Sequence, residues 1–182
     1  MSLALSTATV TNVNIYGQST GTIGITTVSG GTGPYTIAWT SSSGATPITT
    51  QTADAKTLLK AGTYRITVTD SVAATTFRDY VVAQNPALVI APGSVHIEAK
   101  HGEYRANISA STVTGGNGTY TISWTSTGTA ISDTTAGAKT GLRHGKYTLH
   151  VADGAGATAS HVFTVPVKRR MYHSPDGHDT RK

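Results

Sequence analysis

Gly30-Gly31-Thr32-Gly33-Pro34-Tyr35-Thr36-Ile37-Ala38-Trp39 recurs as Gly115-Gly116-Asn117-Gly118-Thr119-Tyr120-Thr121-Ile122-Ser123-Trp124. Each copy is a glycine-rich turn that runs into a strand. Side chains alternate faces along a strand, so Tyr35, Ile37 and Trp39 share one face, and Tyr120, Ile122 and Trp124 share its counterpart. Trp39 and Trp124 are the two tryptophans of the chain. Each is expected to anchor a hydrophobic core, with Tyr35 and Tyr120 beside it.

A second repeated stretch follows the first. Leu59-Lys60-Ala61-Gly62-Thr63-Tyr64-Arg65-Ile66-Thr67-Val68-Thr69-Asp70 aligns without a gap on Leu142-Arg143-His144-Gly145-Lys146-Tyr147-Thr148-Leu149-His150-Val151-Ala152-Asp153. Its alternation turns Tyr64, Ile66 and Val68 inward and Thr and Arg outward. Tyr64 and Tyr147 complete the expected core anchors.

The repeat divides the 182 residues into a first unit at 1–85, a second at 86–167 and a tail at 168–182, with Gln84-Asn85-Pro86 as linker. Charged residues are only 13% of the chain, and no long segment has helical periodicity. Short strands joined by small-residue turns give an all-β class: two tandem immunoglobulin-like β-sandwiches with a basic C-terminal tail. Further strands are expected at Thr22–Val28, with Ile23 and Ile25 on one face matched by Ile108 and Ala110, and at Pro47–Thr50 on a sheet edge. Thr76–Val82 closes the first unit and Val162–Val165 the second, with Phe163 in the place of Tyr80.

The joint motif, Gly-Gly-x-Gly-x-Tyr-x-Ile-x-Trp followed by Leu-x-x-Gly-x-Tyr-x-(Ile/Leu)-x-Val-x-Asp, resembles the SprB-type repeat of bacterial surface adhesins. That repeat is a relative of PKD-like and other immunoglobulin-like modules. The resemblance covers roughly residues 20–83 and 104–166. It implies that Trp39 and Trp124 face the opposite sheet and that Tyr64 and Tyr147 lie on the partner strand of the core. The chain departs from the family pattern after the aspartate, reading Asp70-Ser71-Val72 and Asp153-Gly154-Ala155 where the family continues into a Gly-Cys segment. Such sandwiches are scaffolds for many roles, so the likeness speaks to fold more than to activity.

The chemistry-bearing residues are sparse. With no cysteine, disulfides, thiol catalysis and cysteine-bound zinc are excluded. Seven histidines lie in the second half, but none is spaced as a three- or four-ligand metal site, His96 and Glu98 included. Asp70 and Asp153 read as turn caps, with calcium as the sharper alternative. Asn107-Ile108-Ser109 and Asn117-Gly118-Thr119 are formal glycosylation sites that a Ser/Thr-rich chain produces by chance. No acid–base pair and no Ser-His-Asp set can be placed, so no cofactor and no enzymatic activity are expected. No apolar run approaches the about 18 residues of a membrane span.

Net charge is +5, of which residues 168–182 hold +3: Lys168, Arg169, Arg170, Arg181 and Lys182 against Asp176 and Asp179. This tail, with Tyr172, is the candidate partner contact; its acids make nucleic acid an unfavoured partner. Two functions follow. The first is a structural protein of a larger assembly, most plausibly a virion or capsid-associated component, oligomeric and bound to protein neighbours through its faces and tail. It rests on the Met1 start without a signal peptide, the lack of cysteine and the tail. The alternative is a fragment of a bacterial cell-surface adhesin that binds glycan or protein. A carbohydrate-binding module ranks last, because both tryptophans are expected inside.

Overall fold

The computed structural model describes residues 1–100 and 103–167. The fold is all-β, a sandwich-like arrangement of small antiparallel sheets. The first repeat forms β1 (Ala4–Leu5), β2 (Val10–Thr11), β3 (Gly21–Ile23), β4 (Val28–Ser29), β5 (Thr36–Ser41), β6 (Lys56–Leu59), β7 (Gly62–Thr69) and β8 (Thr75–Val82). The second forms β9 (Val89–Ala91), β10 (Val95–Lys100), β11 (Glu103–Ile108), β12 (Thr112–Thr114), β13 (Tyr120–Ser126), β14 (Lys139–Leu142), β15 (Gly145–Asp153) and β16 (Thr158–Val165). The sheet orders repeat as well: β1-β4, β2-β3-β6 and β5-β7-β8 in one, β9-β12, β10-β11-β14 and β13-β15-β16 in the other.

The chain divides into two compact units. Among the described residues, the first holds Met1–Val89 together with Thr114–Tyr120 and Asp153–Ala157; the second holds Ile90–Val113, Thr121–Ala152 and 158–167. These units differ from the repeat boundary expected at 85/86, because the second glycine turn and the hairpin after Asp153 group with the first. Gly116 N–H donates to Pro86 O at 2.9 Å, and Gly115 lies so close to Ala87 that a Cβ there would stand 1.8 Å from its carbonyl oxygen.

In the first repeat, Ile23 and Leu59 from one three-stranded sheet meet Trp39, Tyr64, Ile66, Val68, Tyr80 and Val82 from the other, with Leu5 and Val13 in the same core. Trp39 stacks on Tyr80 with ring centroids 6.1 Å apart. In the second repeat the corresponding buried residues are Ala106, Ile108 and Leu142, and Trp124, Tyr147, Leu149, Val151, Phe163 and Val165. Trp124 lies 5.8 Å from Phe163. Each such aliphatic or aromatic side chain contributes about 1.5–3 kcal/mol on burial.

Tyr64 and Tyr147 are fully buried yet keep their hydroxyls paired. Tyr64 OH donates to Lys60 O at 2.7 Å and accepts from Thr46 N–H at 3.1 Å. Tyr147 OH donates to Arg143 O at 2.6 Å and accepts from Thr129 N–H at 2.9 Å. A tyrosine that bonds backbone four residues upstream at a strand corner is a hallmark of immunoglobulin-like sandwiches. The glycine two residues before it gives clearance: a Cβ at Gly62 would stand 2.5 Å from that of Ala45.

Five expectations are corrected. Tyr35 is 39% exposed rather than a core anchor. It precedes β5, outside the ladder that ends at Thr36↔Thr69, and its hydroxyl turns back to Gly30 O at 2.6 Å. Tyr120 is likewise only half-buried, its hydroxyl donating to Gly115 O at 2.7 Å. The strand expected over Thr22–Val28 is broken after Ile23; Ile25 is 65% exposed, and Thr26 takes the inner place with its hydroxyl 3.1 Å from Tyr80 OH. Ala110 is exposed for the same reason, and Ala106 is the inner partner of Ile108. Pro47–Thr50 is irregular, and the strand begins at Lys56 instead.

The register of β3 against β6 slips between Gly21↔Leu59 and Ile23↔Lys56, and β11 against β14 slips at the same place. The extra residue adopts positive φ: Leu58 at 57° and Gly141 at 66°. A left-handed residue with a Cβ costs about 1–2 kcal/mol, and Leu58 is 71% exposed, so its side chain returns little. Leu58→Gly is expected to raise stability by about 0.5–1 kcal/mol, after the entropy of glycine is set against the relieved strain. A lower urea midpoint for this variant would refute the assignment of strain.

Candidate interaction surface

Two inner arrangements fix the surface, and both occur twice. The first is a carboxylate clamp. Asp70 Oδ1 accepts from Ala74 N–H at 2.8 Å and Val72 N–H at 3.1 Å, while Oδ2 accepts from Thr32 N–H at 3.0 Å. Asp153 repeats this with Ala157 N–H, Ala155 N–H and Asn117 N–H at 2.8, 3.0 and 3.0 Å. The last residue of one motif thereby holds the glycine turn of the other. Gly31 and Gly116 have φ of 68° and 58°, and a Cβ on either would stand 2.9 and 2.4 Å from the clamp oxygen. Burial works to raise each carboxyl, but the backbone donors outweigh it and both titrate below the ordinary carboxylate value.

The second arrangement was not anticipated from the sequence: a buried lysine beneath each tryptophan. Lys56 is 5% and Lys139 6% exposed. Their ammonium groups lie 5.6 and 5.4 Å from the ring centroids of Trp39 and Trp124, within the range of cation–π attraction. The indole N–H groups donate to Thr52 O and Thr135 O at 2.8 and 2.9 Å. Lys139 Nζ donates to Asp133 Oδ2, Gly137 O and Thr135 O at 2.7, 2.9 and 3.1 Å. Lys56 Nζ has Thr52 Oγ1 at 3.2 Å, and burial pulls its pKa down against the opposing influence of Asp54. The signal was present in the repeated Lys-Thr-x-Leu at 56–59 and 139–142. These residues belong to the interior and pin the loop before β6 and β14.

With the anchors turned inward, the outer face of each β5- or β13-containing sheet is rich in hydroxyls. In the first repeat it presents Thr36, Thr40, Thr63 and Thr67 around Arg65, Phe77, Asp79 and Val81. Arg65 forms a two-pronged pair with Asp79 at 2.6 and 2.7 Å and lies 4.3 Å from the centroid of Phe77. The pair stands in solvent, so it orders the face more than it stabilises the fold. In the second repeat the face carries a shallow recess of about 340 Å³ lined by Thr121, Ser123, His150, Thr158 and Ser160. His150 Nε2 is 3.0 Å from Thr125 Oγ1.

Other candidates are dispersed. Glu98 accepts from Asn107 Nδ2 at 2.7 Å, and Asn107 Oδ1 accepts from Gly141 N–H. Asn117 Oδ1 accepts from Thr119 and Gly154 N–H groups. Among the described residues, no three His, Asp or Glu side chains converge as a metal site, and no helix is long and apolar enough to cross a membrane. Lys168, Arg169, Arg170, Tyr172, Arg181 and Lys182 lie outside the described residues.

The first repeat thus joins a glycine turn, an inward tryptophan and the small-residue strands before them. Residues 7–44 match the family model of the SprB repeat. The match runs from before β2 through the whole first motif to the loop after Trp39. No curated protein matches the chain. The second copy of the glycine-turn and tryptophan motif, at 115–124, closes on its own aspartate with the same contacts.

Two predictions follow from the inner arrangements. A carboxylate depressed in the folded state adds stability above its unfolded pKa and loses it as pH falls through the folded value. The urea midpoint of the chain therefore declines from about pH 4 downward, and Asp70→Asn with Asp153→Asn makes that decline shallower. Asp79 and Asp133, held low by Arg65 and Lys139, contribute in the same direction. An unchanged acid profile would refute the clamp. For the lysines, Lys139→Met strands the carbonyl of Gly137, leaves Asp133 Oδ2 without its ammonium partner and costs about 1–3 kcal/mol, whereas Lys56→Met costs under about 1 kcal/mol. Equal losses in fluorescence-monitored unfolding would overturn this ranking.

Proposed function

We propose that the chain is part of a cell-surface, adhesin-type repeat protein that works by binding and not by catalysis. The observation that carries this reading is the SprB match over residues 7–44, together with the second copy of the same strand order. Of the two functions raised by the sequence, the match favours the surface adhesin. The virion reading drew on the tail, which lies outside the described residues, and the comparisons give it no support. The contact faces in this reading are the outer sheets. Hydroxyl-rich surfaces with one ordered Arg–Asp pair offer many hydrogen-bond groups to a partner.

The test is exposure on producing cells. Protease added to intact cells is expected to remove the epitope of an antibody raised against residues 1–167. Loss of the epitope only after lysis would reject the surface location. Beads coated with the chain should also be retained on glycan or protein surfaces above albumin-coated beads. Retention no better than albumin on every surface would reject adhesion while leaving the location standing.

A further inference from the structure

The two repeats differ at one edge, and the difference marks a binding groove. In the first repeat the chain leaves the β2–β3 ladder after Thr11 and reaches the end of β8. There Val13 pairs in parallel with Gln84, donates its N–H to Ala83 O at 2.9 Å and accepts from Asn85 N–H at 3.3 Å. Asn12 Oδ1 accepts from Ala83 N–H, and Gln84 Oε1 accepts from Gly17 N–H. Val13 is 1% exposed and belongs to the core. The end of β8 is thereby covered by an extended segment with one β-branched apolar side chain.

In the second repeat, β10 stays paired with β11 from Val95↔Ile108 to Lys100↔Glu103. It supplies no counterpart of Val13. Pro166 and Val167, which correspond to Ala83 and Gln84, instead line an open groove of about 370 Å³ with Ile97, Tyr104, Arg105, Arg143 and His144. Ile97, Tyr104 and Val167 are 44%, 44% and 69% exposed. β16 is the edge strand of its sheet, and an exposed sheet edge with pockets for side chains beside it is a setting for an added strand. Arg143 contributes a positive charge to this lining.

We propose that this groove seats an extended, acidic segment of a partner protein, with a β-branched side chain in the place that Val13 holds in the first repeat and a carboxylate facing Arg143. Charge complementarity selects the occupant. The chain's own tail carries +3 and has the sign of Arg143. A second copy's Thr11–Ile15 has no acidic residue and is already engaged in its own unit. The inference is independent of the adhesin reading, since it rests on the comparison between repeats.

The test uses the full chain and synthetic peptides of residues 9–17, labelled for fluorescence anisotropy. The peptide carrying Asn12→Asp and Asn14→Asp is expected to bind, and its Val13→Asp form to bind about tenfold more weakly. Val167→Asp in the chain weakens binding by about tenfold, and Arg143→Glu removes the advantage of the two aspartates over the parent peptide. Val167 and Arg143 are exposed, and an unchanged urea midpoint confirms that the variants fold. No binding at millimolar peptide, or binding indifferent to Val167→Asp, overturns the proposal. So does competition by a peptide of residues 168–182, which would make the tail the occupant. A dimer of the free chain abolished by Val167→Asp would make it a second copy and overturn the proposal equally.

Discussion

The carboxylate of Asp70, and its copy at Asp153, is the constraint on which each repeat depends. It binds backbone N–H groups from two turns that lie far apart in sequence, at 32 and at 72–74. The glycine turn sets where β5 begins, and the hairpin sets where β8 begins. Holding them on one side chain aligns β5, β7 and β8 in register before any core packing is counted. The two glycines beside the carboxylate are there because a Cβ would occupy its space. The strand that follows is then positioned so that its third alternate residue, the tryptophan, reaches the opposite sheet.

That tryptophan is held on both sides. Its ring packs on Tyr80 or Phe163, and its indole N–H donates to the loop before β6 or β14. A lysine completes the arrangement from that loop. In the second repeat the ammonium gathers four oxygen partners besides the ring, which organises residues 133–137 without regular structure. In the first it has one hydroxyl partner, and Gln51 Oε1 instead accepts from the Trp39 backbone N–H. One plan is met with two loop solutions, as expected where sequence drifts under a fixed core.

The functional reading follows from what this interior leaves outside. The core takes both tryptophans, Tyr64, Tyr80, Tyr147 and Phe163, and the outer sheets keep many hydroxyls, the exposed Phe77 and Val81 and one ordered ion pair. Such a surface suits contact more than chemistry. The repeats nonetheless are not equivalent, because the segment that seals the end of β8 has no equivalent from β10 at the end of β16.

By itself, the sequence determined the all-β class, the duplication, the inward placement of Trp39, Trp124, Tyr64 and Tyr147, and the capping role of the aspartates. Period-two alternation and an exact spacing of turn residues carry that information locally. Tertiary structure decided the rest. Tyr35 and Tyr120 share the tryptophan face but stand at or before the strand start, so their hydroxyls turn back on the glycine turn. Ile25 fits the alternation of Ile23 yet faces solvent, because the chain leaves the ladder between them. The buried lysines contradict any rule that places charge outside, and they are tolerated only because a ring and loop oxygens converge on each ammonium. The groove beside Val167 is set by which partner β10 follows, a choice made between competing strand edges and not within either segment.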